Sequence, residues 1–181
     1  FRTLAGQTTP ARLPALPRLR VALGPGEFSY QISDESARLP INATGADRLD
    51  RLLVALGVDR ERRDVITDSL QDWRDADELH RLHGAESDFY LRLPVPYRAR
   101  NGDLQDSAEL LQIRGVTREL YAGAEGRPRL GDLVTALAVP AINLNTAAPP
   151  VLKALGFSEA EIADVTDTRV RAPFASVPGR F

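Results

Sequence analysis

The sequence contains no cysteine and no methionine, and Lys153 is its only lysine. Without cysteine, the fold has neither disulfides nor thiolate metal ligands. Because position 1 is not methionine, we expect a processed or engineered fragment. No apolar run approaches the ~20 residues that span a bilayer. We therefore expect any membrane anchor to be absent from this chain.

The composition is typical of a folded, soluble protein. Of the 181 residues, 43% are hydrophobic and 27% are charged, and this length permits one domain or two small ones. The formal net charge of −2 argues against a nucleic-acid or acidic-membrane partner.

The sequence has no nucleophile elbow and no phosphate-binding glycine-rich loop. We therefore predict a protein that is not an enzyme.

The residue patterns predict a hairpin followed by helices. Segments 20–23 and 28–33 flank a Gly-Pro-Gly turn. From Thr44, a predicted N-cap, leucines recur at helical spacing. A second helix over 60–73 places Trp73 on its apolar face as a core anchor. Further short helices are predicted near 106–113, 117–121, 130–137, 149–155 and from 158 onward.

Two stretches of the chain resemble each other. Residues 41–44 precede a leucine-rich helix that ends in Leu56-Gly57, and residues 142–146 precede a helix that ends in Leu155-Gly156. A second helix is predicted after each. This short match is a weak indication of an internal duplication.

A polar loop over 74–101 carries the densest group of acidic residues. Asp75 and Asp77 lie two residues apart, and Glu86 and Asp88 approach from the other end of the loop. Carboxylates this close repel each other unless a cation lies among them. Calcium takes about six to eight oxygen ligands and tolerates irregular loops, although the spacing here is not that of an EF-hand. The alternative is a solvated acidic loop without an ion.

His80 and His83 lie at a spacing that zinc sites use. Glu86 follows three residues later, but Gly84 interrupts any helix that would bring the three together. We therefore interpret the histidines as surface residues of the loop.

Residues 142–169 resemble a helix-hairpin-helix unit, which makes a nucleic-acid-binding module the alternative function. DNA-binding hairpins of this kind contact phosphates through glycine backbone N–H groups and basic side chains. This hairpin contains one glycine, Gly156, and Asp164 and Asp167 make its second helix acidic. The pattern therefore disfavours nucleic acid as a partner.

Five motifs, taken in order, resemble the K-type minor pseudopilins of type II secretion. They span most of the chain and comprise residues 33–42, 72–77, 84–90, 107–115 and 142–147. The resemblance implies an α+β fold in which pilin-like β-sheet elements enclose a large inserted all-α domain, SAM-like or helix-hairpin-helix-like. The implied domains are 1–43 for the start of the β region, 44–171 for the inserted domain, and 172–181 for the return. The sheet is expected to be incomplete in this fragment.

The resemblance also implies a function and a site. Such a protein is a structural subunit that forms the pseudopilus tip with I-type and J-type minor pseudopilins, with secreted substrate proteins as further partners. It is the periplasmic domain of a protein anchored in the inner membrane by an N-terminal helix. The implied cofactor is Ca²⁺, and the carried-over ligands are Asp75, Asp77, Glu86 and Asp88. Asp72, inside the helix that holds Trp73, is a further candidate.

Overall fold

A computed structural model describes residues 18–30, 32–123 and 128–175. The chain divides into two compact units, Phe1–Asp34 and Glu35–Phe181. The first unit contains a hairpin of β1 (Arg18–Leu23) and β2 (Gly26–Tyr30), paired antiparallel with Leu23 opposite Gly26. Gly24 turns the chain with φ of +58°, a conformation that glycine adopts at little cost. The predicted hairpin is confirmed.

The second unit is mainly helical. Its helices are α1 (Ala46–Ala55), α2 (Arg60–Arg74), α3 (Ser87–Tyr90), α4 (Arg118–Ala122), α5 (Leu130–Leu133), α6 (Pro149–Ala154) and α7 (Glu159–Arg171). Two 3-10 helices cover Glu35–Ala37 and Ser107–Gln112. Two short strands, β3 (Leu39–Pro40) and β4 (Val134–Thr135), pair in parallel. The β content is therefore small, and helices build most of the core.

Helices α1 and α6 supply the centre of that core. The predicted leucine stripe of α1 is buried, and Leu52 and Leu53 have no exposed surface. Val151 and Leu152 of α6 are equally inaccessible. Burying a leucine or valine side chain contributes about 1.5–3 kcal/mol to folding. Burial of these two faces therefore accounts for helices whose short lengths would not be stable alone.

Thr44 does not cap α1, so that prediction is wrong. The helix begins one residue later than the prediction requires, and Gly45 occupies the N-cap position without a side-chain hydrogen bond. The Thr44 hydroxyl instead donates to the Pro40 carbonyl oxygen at 2.8 Å, which closes the preceding turn. Asp47 lies in the first turn, where its negative charge favours the helix start.

The two similar stretches form similar structures. Pairs α1–α2 and α6–α7 are each joined by a tight turn in which a glycine, Gly57 or Gly156, has positive φ. Near the end of each pair an arginine binds the turn that precedes the pair. Arg74 Nη1 donates to the Ile41 carbonyl oxygen at 2.5 Å, and Arg169 Nη1 donates to that of Ala147 at 2.6 Å. The repeated helix pairs expected from the sequence are therefore confirmed.

The mixed helix and strand content confirms the α+β assignment. No helix among the described residues is long and apolar enough to cross a membrane. The division into two compact units does not show whether one domain is inserted into another. The domain limits at 43–44 and 171–172 and the pilin-like sheet therefore stay predictions. Residues 1–17 and 176–181, at the two ends of that predicted β region, lie outside the described residues.

Candidate metal site in the acidic loop

An aromatic cluster fixes the acidic loop to the end of α2. Trp73 is only 2% exposed, which confirms its predicted role as a core anchor. Its ring meets Tyr90 edge-on at a centroid distance of 5.2 Å and Tyr97 at 6.2 Å. Tyr90 and Tyr97 stack on each other. Because both tyrosines belong to the loop, these contacts hold its middle and its far end against the helix.

Three of the four predicted ligands converge. Asp75, Asp77 and Glu86 each offer one carboxylate oxygen, and these atoms lie within 4.8 Å of one another. Asp75 is the C-cap residue of α2, and Glu86 immediately precedes α3. The end of one helix and the start of the next therefore place these carboxylates opposite each other.

Several oxygens of this cluster are buried without a hydrogen bond. Glu86 is 1% exposed, and neither of its carboxylate oxygens accepts a hydrogen bond from the described residues. Asp75 Oδ1 is also buried and accepts no hydrogen bond from the described residues. Burial, together with the nearby charges of Asp72, Asp75 and other acids, raises the pKa of Glu86 to about 7. Buried polar groups usually have partners, and a cation among these oxygens would provide one.

Asn101 is a further candidate that the sequence did not identify. Its Oδ1 is buried and accepts no hydrogen bond from the described part of the chain. Its Nδ2 donates to the Asp77 carbonyl oxygen at 3.3 Å and to Glu78 Oε1 at 3.2 Å. Asn101 has φ of +50°, a conformation that asparagine tolerates better than most residues. The Asn-Gly pair at 101–102 was the available signal, because it marks such turns.

The structure does not bring Asp88 into this cluster. Its Oδ1 lies 2.7 Å from His80 Nε2, and its other oxygen pairs with Arg92. The Asp88 side chain is 56% exposed. His83 pairs with Asp68 at 3.3 Å and is also partly exposed. Both histidines therefore lie at the surface, as predicted, and a ligand role for Asp88 stays a prediction.

Asp72 lies beneath the cluster and has an internal partner. Its side chain is fully buried, and Arg81 Nη1 lies 2.6 Å from its Oδ1. The Arg81 backbone N–H also donates to this carboxylate at 3.3 Å. Asp72, which belongs to α2, therefore binds the loop through Arg81 and contributes negative charge to the site.

The chemistry of these groups fits calcium. The converging atoms are carboxylate oxygens, and calcium prefers oxygen ligands of this kind. Zinc favours nitrogen and sulfur, and the two histidines of the loop are paired elsewhere. Of the metals that the sequence raised, calcium is the better match.

Comparisons with known proteins show where this chain belongs. The family model for type II secretion system protein K matches residues 27–141. The chain is 34% identical over 178 residues to the protein K of Pectobacterium carotovorum subsp. carotovorum, with 87% of this chain and 52% of the relative covered. It is 33% identical over 163 residues to that of Pseudomonas aeruginosa, with 83% and 47% covered.

A solved structure gives the same result. The fold is similar to a chain in the GspK-GspI-GspJ complex of the enterotoxigenic Escherichia coli type 2 secretion system, with a TM-score of 0.66 and 26% identity. The match covers 92% of this chain and 65% of that chain. These similarities define a type II secretion component. The chain belongs to the protein K family, which confirms the resemblance drawn from its motifs. It spans about half the length of the curated relatives cited here.

Proposed function

We propose that this chain is a structural, non-catalytic part of a K-type minor pseudopilin that assembles with I-type and J-type minor pseudopilins at the pseudopilus tip. The supporting observation is the likeness to a chain of the GspK-GspI-GspJ complex over 92% of this chain. The working location is the periplasmic side of the inner membrane, with secreted proteins as further partners. The nucleic-acid-binding alternative has no support among these similarities.

Co-purification tests the assembly. A tagged version of this chain, mixed with purified I-type and J-type subunits of the same secretion system, is expected to elute with both in size-exclusion chromatography. A helical secretion-system domain of similar size from outside this family serves as the negative control. Separate elution of the three proteins at micromolar concentration would contradict the proposed assembly.

We also propose that calcium binds the acidic loop. The supporting observation is the pair of Glu86 oxygens, buried beside two other carboxylates without any donor among the described residues. Asp75, Asp77, Glu86 and Asn101 would hold the ion. A bound divalent cation would supply the positive charge that these oxygens lack, and the backbone of residues 74–101 supplies further carbonyl oxygens. The ion would stabilise the loop and would not take part in catalysis.

Thermal unfolding tests the calcium site. Binding to the folded state alone stabilises it by RT ln(1 + [Ca]/Kd), ~2.7 kcal/mol at a hundredfold excess over Kd. We expect a higher melting temperature in calcium than in EGTA, and a smaller rise with magnesium, which prefers a stricter octahedral geometry. Asp75→Asn should abolish the rise. An unchanged melting temperature in calcium would rule out a site of this affinity.

A further inference from the structure

Arg81 places a permanent positive charge at the edge of the acidic cluster. Its Nη1 lies 2.6 Å from Asp72 Oδ1 and 2.5 Å from Asp75 Oδ2. Asp72 is fully buried, whereas 40% of the Arg81 side chain is exposed. Hydrogen bonds to Asp75 and Asp72 raise the pKa of Arg81 further above its usual range. One guanidinium therefore pairs with two carboxylates, leaves one negative charge uncompensated, and keeps access to solvent.

Asp75 belongs to two groups at once. Its Oδ2 is bound to Arg81, and its Oδ1 is buried without a donor among the described residues. The same carboxylate converges with Asp77 and Glu86. Arg81 and a bound divalent cation would therefore interact with the same carboxylate. We propose that Arg81 is a built-in counter-cation that stabilises the loop when no ion is bound and thereby lowers the affinity of the loop for calcium. This inference rests on the proposed calcium site.

The loop geometry does not depend on the Arg81 side chain alone. The His83 backbone N–H donates to Asp68 Oδ2 at 3.0 Å. The Gly84 carbonyl oxygen accepts from Arg114 Nη1, also at 3.0 Å. Removing the guanidinium therefore changes the charge of the site more than the position of the chain.

Thermodynamic linkage gives the direction in which calcium affinity changes when the Arg81 guanidinium is removed. Without the guanidinium, the buried Asp72 loses its ion pair, and an unpaired buried charge is strongly destabilising. A calcium ion nearby offsets the excess negative charge, so the ion-bound protein loses less stability than the ion-free protein. The difference between these two losses must appear as tighter calcium binding.

A different role for Arg81 predicts the opposite change in calcium affinity. If Arg81 served mainly to position Asp72 and Asp75 for the ion, its removal would weaken calcium binding. The sign of the change in affinity therefore distinguishes a competing charge from a positioning residue.

The experiment compares Arg81→Gln with Arg92→Gln in the full chain. Arg92 pairs with the exposed Asp88, outside the converging cluster, and so provides a matched control. Calcium affinity is measured by calorimetric titration, and melting temperatures are measured in EGTA and in calcium. We expect Arg81→Gln to bind calcium about tenfold more tightly, a change of ~1.4 kcal/mol. It should also melt at a lower temperature in EGTA and show a larger rise with calcium.

The controls and failures separate the two proposals. Arg92→Gln should match the wild type in both measurements, and Arg81→Lys, which keeps the charge, should lie closer to the wild type than Arg81→Gln does. If the wild type binds calcium and Arg81→Gln binds equally or less well, the counter-cation role is overturned and the calcium site survives. A wild type that does not bind calcium overturns the site itself. If Arg81→Gln folds in neither condition, the ion cannot replace the guanidinium, which also overturns the inference.

Discussion

Gly84 lies so close to Asp72 that a Cβ at this position would come within 1.8 Å of Asp72 Oδ2. Real Cβ atoms do not approach a heavy atom this closely, so any larger residue must displace the carboxylate or the chain. Because the Asp72 side chain is fully buried, it has little room to move. Glycine at position 84 is therefore required for the loop to close over α2.

The first prediction follows from this contact. Gly84→Ala should lower the free energy of unfolding by ~1–3 kcal/mol, the usual cost of forcing extra volume into a packed site. Gly102→Ala is the matched control, since the nearest atom to its Cβ would be Arg100 Cγ at 4.0 Å. Urea denaturation of both variants in EGTA measures the difference. Equal stability of the two variants would contradict the proposed steric limit.

The second prediction concerns Glu86 in the ion-free protein. The pKa of Glu86 is raised in the folded state to about 7, so its contribution to stability is full below the unfolded-state pKa and is lost as pH rises through about 7. Glu86→Gln, which cannot ionise, should therefore be more stable than the wild type at pH 8 in EGTA. At pH 4, below the unfolded-state pKa, the two should be nearly equal. Melting temperatures across this range are the measurement, and a variant less stable at pH 8 would refute the argument.

The third prediction concerns the pH dependence of calcium binding. Calcium needs the ionised form of Glu86, and metal binding to such a ligand releases a proton. With a pKa of about 7, apparent affinity should be roughly tenfold weaker at pH 6 than at pH 8. Calorimetric titration at the two pH values measures the ratio. The Asp88→Asn variant should keep the same ratio, because Asp88 lies outside the cluster.

The fourth prediction tests Asn101 as a ligand. Both variants lose the Nδ2 hydrogen bonds to Asp77 and Glu78, but Asn101→Asp keeps the side-chain oxygen and adds a charge, whereas Asn101→Ala removes the oxygen. Calcium affinity should fall in the alanine variant and be retained or increased in the aspartate variant. Terbium luminescence, excited through the nearby Trp73, provides a direct readout. Wild-type affinity in the alanine variant would remove Asn101 from the ligand set.

The fifth prediction concerns the core. Leu52 is fully buried in α1, so Leu52→Ala should cost ~2–5 kcal/mol of unfolding free energy. Val54 lies on the same helix but is 43% exposed, and Val54→Ala should change stability by under ~1 kcal/mol. Denaturant unfolding of the pair checks both values. A similar cost for the two variants would show that α1 does not bury the leucine stripe.

The sequence predicted what depends on local pattern. The leucine stripe of α1 and the burial of Trp73 follow from spacing within short segments. The convergence of Asp75 and Asp77 with Glu86 was expected from the position of the acids in the loop and from the family resemblance. The expectation for Asp88 came from the same spacing, but α3 begins at Ser87. Glu86 precedes that helix in an extended conformation, whereas Asp88 lies within it and pairs with His80 and Arg92.

Contacts that depend on the path of the folded chain were not predictable from the sequence. Thr44 fits an N-cap pattern, yet its hydroxyl bonds back to Pro40 because the turn before α1 brings that carbonyl oxygen within reach. Asn101 bonds to Asp77 across 24 residues. Arg81 could be placed between Asp72 and Asp75 only once the path of the loop over α2 was known. In each example the tertiary structure determines the hydrogen-bond partner of the side chain.

The long loop between Asp77 and Asn101 also has a consequence for the order of events in folding. Closing a segment of this length costs chain entropy before its contacts form. Tyr90 and Tyr97, which pack on Trp73, lie between Glu86 and Asn101 in the chain, so we expect their docking to precede the approach of Glu86 to Asp75. In a refolding reaction, calcium uptake would therefore follow the docking of the aromatic rings, and the ion would report that the loop has finished folding.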